Sequence, residues 1–244
     1  MANPNMTNRE VCDLIFVDYA SKKPFLNMDF ANVTTTELTG ETMFAYGGKG
    51  HPKRVSFSGE KAGTMTIETQ IQTFKLWELL TGGDVSSNAK FIQREEAVVS
   101  SAEGKSITLT GIKAGSAVSV FKADDDCGTE LPCTVADDII TLTTALTQND
   151  AVIVYYMKEV TENVRRISIK STSFPKAFTV YGDTIMKTED DEILPYRLIA
   201  YKVTPQSNMS ISMSNNGDPA AMTVTCDLMA DSDDNMLDLI LLDA

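Results

Sequence analysis

The 244-residue sequence is poor in the residues that build most catalytic and metal sites: it has one histidine, one tryptophan and four cysteines. His51 alone cannot complete a histidine-based metal site, and no serine or cysteine nucleophile motif accompanies it, so it is interpreted as a loop residue. Cys12, Cys127, Cys133 and Cys226 are too scattered for a disulfide framework. They favour a reducing compartment, with a Cys127–Cys133 disulfide as the alternative.

The sequence also lacks an excess of positive charge and any long apolar run. It has 21 Lys and Arg against 34 Asp and Glu, a net charge of −13. Nucleic acid phosphates repel such a chain, which argues against DNA binding through phosphate neutralisation. Near the N-terminus the only apolar run, LIFV, is too short for a secretory signal. No segment reaches the length of a membrane span, so no membrane insertion is expected.

Three acidic clusters lack the ligand spacing and central glycine of an EF-hand loop: Asp124–Asp126, Glu189–Glu192, and Asp231, Asp233 and Asp234 with Asp238. They are interpreted as solvated turns, the last of which is also suited to capping the segment that follows it. The loop YGGKG lacks the GK[ST] ending of a phosphate loop. The sequence therefore predicts no metal, no cofactor and no catalytic residue.

What the sequence does contain is strand periodicity, with one change of period. Apolar residues alternate with polar ones in KRVSFS and again in TMTIETQI, and GEKAG between them predicts a turn joining two strands. From residue 74 the apolar positions Phe74, Trp77 and Leu80 recur at three-residue steps, and Gly82 follows them. This spacing predicts a short amphipathic helix that ends at a glycine cap.

The remaining strands predict a mainly β fold of two packed antiparallel sheets, a sandwich or barrel. Residues 88–160 contain short strands separated by turn formers, which favours an inserted immunoglobulin-like module within a discontinuous domain of residues 1–87 and 161–244. Further strands are predicted at Ala177–Lys187, Pro195–Val203, Asn208–Ser214 and Met222–Leu228. The last apolar segment, Met236–Leu242, is predicted to be a helix turn or a docking strand.

Several of these strands have one apolar face and one face of Ser, Thr, Asn and acids without lysine or arginine. A solvated sheet face usually carries Lys and Glu pairs. A threonine-rich solvent face is the simpler interpretation, because threonine favours strands. The alternative is the wall of a channel through which a polyanion slides without being held.

The order of these segments resembles the major tail tube proteins of tailed bacteriophages, which are related to the tubes of contractile injection systems. The resemblance rests on AYGG, KRVSFSG, TMTIETQI, FKLWELLTGG, LIAYKVTPQSNMSISMS and GDPAAMTVTCDLMAD, about residues 33–83 and 165–234. It implies a structural virion protein without enzymatic activity, assembled in the host cytoplasm. Its hairpins would join edge to edge into hexameric rings that stack into a hollow conduit for DNA ejection.

The resemblance also implies where the surfaces would lie. The candidate lumen residues are Thr64, Thr66, Glu68, Asn208, Ser210, Ser212, Thr223, Thr225 and Asp227. A candidate inter-ring loop consists of Tyr46, Gly47, Gly48, Lys49 and Gly50. The insert would project outward as a decoration or a sheath contact, and sheath, baseplate and tail terminator proteins are the expected partners besides further copies of the chain and passing DNA. The alternatives are the inner tube of a contractile injection system, a sugar- or calcium-binding adhesin, and a glycosidase.

Overall fold

The structure is a computed structural model that describes residues 5–112, 116–213, 215, 217 and 219–242. Strands make up 53% of the chain and helix 3%, which confirms the predicted mainly β class with one short helix. The chain divides into two compact units, Met1–Val85 with Ile167–Ala244 as the first and Ser86–Arg166 as the second. Each unit is described by itself below.

The first unit is built on a nine-stranded antiparallel sheet. Its N-terminal elements are β1 (Met6–Thr7), β2 (Asp13–Asp18), β3 (Pro24–Met28), β4 (Val33–Tyr46), β5 (Lys53–Thr69) and α1 (Phe74–Thr81). A separate two-stranded sheet consists of β6 (Val85–Ser86) and β13 (Arg166–Ile167). The second unit supplies β7 (Ala89–Val98), β8 (Ser106–Thr108), β9 (Val118–Lys122), β10 (Cys133–Ala136), β11 (Ile139–Leu142) and β12 (Ala151–Val160). The first unit is completed by β14 (Phe178–Thr188), β15 (Ile193–Pro205), β16 (Met222–Met229) and β17 (Leu237–Leu241).

The main path of the sheet is β3-β2-β14-β15-β16-β5-β4, with β1 on β14 and β17 on β15. Strands from both ends of this path bury their apolar faces in one core, for example Phe16 and Met28 from one end and Met65 and Ile67 from the other. The alternation in TMTIETQI is confirmed only as far as Thr69, which is buried, because Ile71 lies beyond the end of β5 and is 53% exposed.

The predicted turn at GEKAG is wrong. Strand β5 continues through these residues and pairs with β4 from Val33↔Glu68 to Tyr46↔Lys53, with a register shift between Gly40 and Thr42 of β4. The two glycines in this stretch serve close packing, since a Cβ on Gly63 would meet the side chains of Leu38 and Leu228, and one on Gly59 would meet Glu41. Glycine in a strand can mark a close approach of neighbouring chains as well as a turn.

The helix prediction is confirmed. Helix α1 begins after Thr73, whose hydroxyl accepts the backbone N–H of Leu76 at 3.1 Å. It ends at Gly82, which has φ 61° and donates its N–H to the carbonyl of Glu78. Leu76, Leu79 and Leu80 enter the core of the sheet. Of the predicted stripe, Leu80 is buried and Trp77 is partly buried against the core, whereas Phe74 is 38% exposed.

The long hairpin predicted from the sequence forms as β14 and β15, with Lys187↔Ile193 as the last pair before the turn. The C-terminal apolar segment is a docking strand, because β17 pairs with β15 from Tyr196↔Leu241 to Ala200↔Leu237. The strand predicted at Asn208–Ser214 is wrong across residues 208–213, which belong to no strand or helix, while Ser214 lies outside the described residues. Alternation alone did not suffice there, because no neighbouring strand pairs with the segment.

The second unit contains two three-stranded antiparallel sheets, β10-β11-β8 and β7-β12-β9. Their apolar faces share a separate core that includes Ile107, Val120, Ile140 and Tyr156. The Tyr156 hydroxyl donates to a carboxylate oxygen of Glu95 at 2.8 Å, which satisfies the one polar atom of the largest buried side chain. The likeness of this unit to an immunoglobulin domain stays a prediction.

Within the described ranges, none of the helical structure has the length and apolarity that crossing a membrane would take.

Candidate functional site: a polar sheet face and an exposed hairpin arm

The predicted lumen residues of β5 and β16 lie on one face of the sheet, directly opposite one another. The register pairs Thr64 with Asp227, Thr66 with Thr225 and Glu68 with Thr223. Residues that face each other across antiparallel strands point to the same side of the sheet. Six of the nine predicted side chains therefore form one continuous patch, which we call the polar face.

The polar face extends onto β4 through residues that sequence reasoning missed. Thr35 pairs with Thr66 and Glu37 pairs with Thr64, so both belong to this face. Threonine occupies three successive positions in VTTTE, so the alternation that would have identified the outward residues is hidden in the sequence. The register with β5 supplies that information.

The charge of the polar face comes from its acidic residues, and its remaining polar side chains carry neutral hydroxyl groups. Glu37, Glu68 and Asp227 are all exposed, whereas Thr64, Thr66 and Thr225 are half-buried. Asp227 accepts a hydrogen bond from the Gln206 side chain at 2.7 Å. β4, β5 and β16 contribute no lysine or arginine to the paired rows of this face.

One cation of the adjoining strand β15 lies on the same side of the sheet, at the margin of the polar face. Lys202 pairs with Met229 at the end of β16. Its ammonium lies 5.6 Å from the ring centroid of Tyr19, a favourable cation–π position. The paired rows of β4, β5 and β16 are thus negative, and they offer a polyanion hydroxyl groups but no cation.

The other three predicted lumen residues are not part of the polar face. Asn208, Ser210 and Ser212 are exposed, but they lie in the irregular segment after β15. The argument that they share a strand face therefore no longer applies to them. Their place in a lumen stays a prediction.

The predicted inter-ring loop lies at the end of a long two-stranded arm formed by β4 and β5. Tyr46 is the last residue of β4, and Gly47–Gly50 form the loop that follows. Gly48 and Gly50 have φ values of 89° and 85°, a backbone region that favours glycine. Arg54 closes the loop by donating from Nε to the Gly47 carbonyl at 3.2 Å.

No group of three or more His, Cys, Asp or Glu side chains that could hold a metal ion occurs in the part of the chain that the structure describes. The four cysteines are free. Burial raises the pKa of the Cys226 thiol to about 12 and, together with the charge of Asp183, that of Cys12 to about 11. Both thiols are therefore protonated at neutral pH and suited to packing rather than to nucleophilic chemistry.

Comparison with the curated proteins found no match to the chain. The model of one protein family, described as the YomU/Tube protein family, matches residues 8–240. This match takes in residues of both compact units and nearly the whole sequence, and it confirms the resemblance read from the strand order and local phrases. The chain belongs to the YomU/Tube protein family, a family of phage tail tube proteins.

Proposed function

We propose that this chain is the structural subunit of a bacteriophage tail tube whose copies form hexameric rings, and that these rings stack into a hollow conduit for DNA ejection. Family membership already identifies the chain as a structural component of a phage tail tube. The ring, the stacking and the passage of DNA are the further steps of the proposal.

The polar face is the observation that carries the proposal. DNA is a dense line of negative charge, and a wall that neutralised its phosphates would hold it. Thr66 and Thr225 at the centre of the polar face offer hydroxyls, and Glu68 and Asp227 repel phosphate. Such a wall lets DNA slide, and we propose that this face lines the conduit.

The free edge of β4 supports closure into a ring. β4 is 14 residues long and pairs on one side only, with β5, in the described structure. Soluble proteins usually protect an edge of this length with lysine, proline or a very short strand. The sequence VTTTELTGETMFAY has neither lysine nor proline. Pairing with a further copy would satisfy this edge, and closed rotational symmetry would limit growth within one layer.

Electron microscopy of the purified protein over a range of concentrations tests the proposal. We expect hollow rods, with six-fold symmetry in end views, once the concentration passes a threshold. A protein that stays a monodisperse monomer at high concentration in sedimentation velocity would contradict the proposal.

A further inference from the structure

Among the described residues, the arm formed by residues 37–62 forms strand pairs only between β4 and β5. Every residue of the arm is exposed except Gly47 and Gly59, which are half-buried. An isolated two-stranded ribbon is marginally stable in water, so a ribbon of this length normally packs against something.

One face of the arm is apolar. Met43 and Phe57 lie directly opposite each other and are 59% and 56% exposed. Ala45 and Val55 form the next pair on this face, and both are exposed as well. Apolar pairs left in water in this way indicate a surface that is covered in an assembly.

The tip of the arm is basic in a strongly acidic chain. Lys49, Lys53 and Arg54 are the only Lys, Arg, Asp or Glu residues between Glu41 and Glu60. None of the three cations forms an ion pair with the acids of the described ranges. The Lys53 ammonium lies 3.7 Å from the ring centroid of Phe44, which is on the face of the arm opposite Met43.

The β14–β15 hairpin of the same unit ends in a turn of opposite charge, Glu189–Glu192. This turn is held firmly, because the Thr188 N–H donates to the Glu192 carbonyl at 2.9 Å and the Glu192 N–H donates to the Thr188 hydroxyl at 3.1 Å. The Lys187 ammonium forms an ion pair with the Asp191 carboxylate, with Nζ 2.6 Å from Oδ1. The carboxylates of Asp190 and Glu192 have no partner among the described residues.

An apolar patch lies directly behind this acidic turn, as one lies behind the basic tip of the arm. Ile185 pairs with Pro195 and Lys187 pairs with Ile193, which places Ile185 and Ile193 on one face. Their side chains are 40% and 59% exposed. The two hairpins therefore have the same order of surfaces, an apolar patch followed by a charged turn, with charges of opposite sign.

We infer that the arm of one copy docks along the β14–β15 hairpin of a neighbouring copy, with its basic tip against Asp190 and Glu192. Met43 and Phe57 of the arm cover Ile185 and Ile193 of the neighbour. The partner that covers the arm is a second copy of this chain, because each chain carries both the basic arm and the acidic hairpin turn. A head-to-tail contact of this kind either closes a ring or propagates along a filament. This inference rests on the proposed tube assembly and names the contact that drives it.

Charge reversal tests the contact. K49E/K53E makes the tip acidic, and D190K/E192K makes the turn basic. Each double variant alone is expected to raise the critical concentration for assembly by about tenfold or more, because like charges then face each other across the contact. The chain with all four substitutions is expected to assemble again near the wild-type concentration. An equimolar mixture of the two double variants is also expected to assemble, because each supplies the surface that the other needs.

A second acidic turn provides the matched control. D233K/D234K makes the same charge change in the exposed loop before β17 and is expected to leave the critical concentration unchanged. The inference is overturned if both double variants assemble like the wild type, or if D233K/D234K rather than D190K/E192K rescues the acidic tip. A wild-type protein that forms no tubes under any condition would instead contradict the proposed function. Unchanged unfolding curves of the isolated variants would show that the effect lies in assembly.

Discussion

Thr66 on β5 lies directly opposite Thr225 on β16, at the centre of a sheet face whose exposed charges are all acidic. The pair gives the centre of the polar face a hydroxyl surface. The proposed conduit depends on this absence of cations in the paired rows, so the pair is the natural place to introduce one.

Replacing both residues with lysine, T66K/T225K, is expected to slow DNA ejection from otherwise intact virions. Two ammonium groups per subunit, repeated around and along a conduit, would form ion pairs with the passing phosphates. Fluorescence of a DNA-binding dye after triggered ejection measures the rate. T134K adds a lysine at an exposed site of the second unit and serves as the control. Equal ejection rates in both variants would argue against a lumen role for the polar face.

The core and the arm are expected to respond differently to truncation. Ile67 is fully buried, so I67A should destabilise the unassembled protein by about 2–5 kcal/mol. F57A removes an exposed side chain of the arm and should change the free energy of unfolding little, while it raises the critical concentration for assembly. Urea unfolding below the assembly threshold and light scattering above it measure the two quantities. A large loss of monomer stability in F57A would show that the arm packs within its own chain.

The helix cap offers a test of local structure. Gly82 has φ 61°, and a Cβ there would collide with the carbonyl oxygen of Phe174. G82A is therefore expected to cost about 3 kcal/mol or more, from backbone strain and the collision together. G50A is the control, because Gly50 has φ 85° but no atom within 4 Å of its Cβ position, and it should cost only about 1 kcal/mol. Equal losses in urea unfolding would contradict this account of the cap.

Because of Tyr156, we expect the free energy of unfolding of the second unit to decrease at alkaline pH. Burial, followed by the hydrogen bond to Glu95, raises the pKa of Tyr156 from 10 to about 12. Folding thus favours the protonated phenol, so its contribution is complete below pH 10 and is lost as the pH rises towards 12. Y156F should weaken that dependence, whereas Y46F, on the exposed arm, should not. Unfolding midpoints measured between about pH 8 and pH 11 follow the effect, and identical pH profiles for wild type and Y156F would contradict it.

Elements whose periodicity and capping residues lie within one short segment can be predicted from the sequence. Elements that depend on pairing with a strand far away in the sequence are harder to predict. Helix α1 is evident from Phe74, Trp77, Leu80 and Gly82, because its period and its cap lie within one short segment. The course of β5 is not evident, because Gly59 and Gly63 are equally typical of a turn and only pairing with β4 decides that the strand continues.

The candidate surfaces show the same limit. The polar alternation of β5 and β16 was sufficient to predict six residues of one face, because both strands keep a strict period of two. Asn208–Ser212 have the same alternation but no pairing strand, so the pattern predicted a strand that does not form. The docking surfaces of the arm and the β14–β15 hairpin depend on register across strands, which the sequence alone does not specify.

A cryo-electron microscopy reconstruction of the assembled protein tests the central claim most directly. The account predicts a hollow tube of stacked hexameric rings in which Thr66, Thr225, Glu68 and Asp227 face the bore. A tube whose bore is lined by lysine and arginine side chains, or one in which the polar face lies on the outer surface, would contradict it.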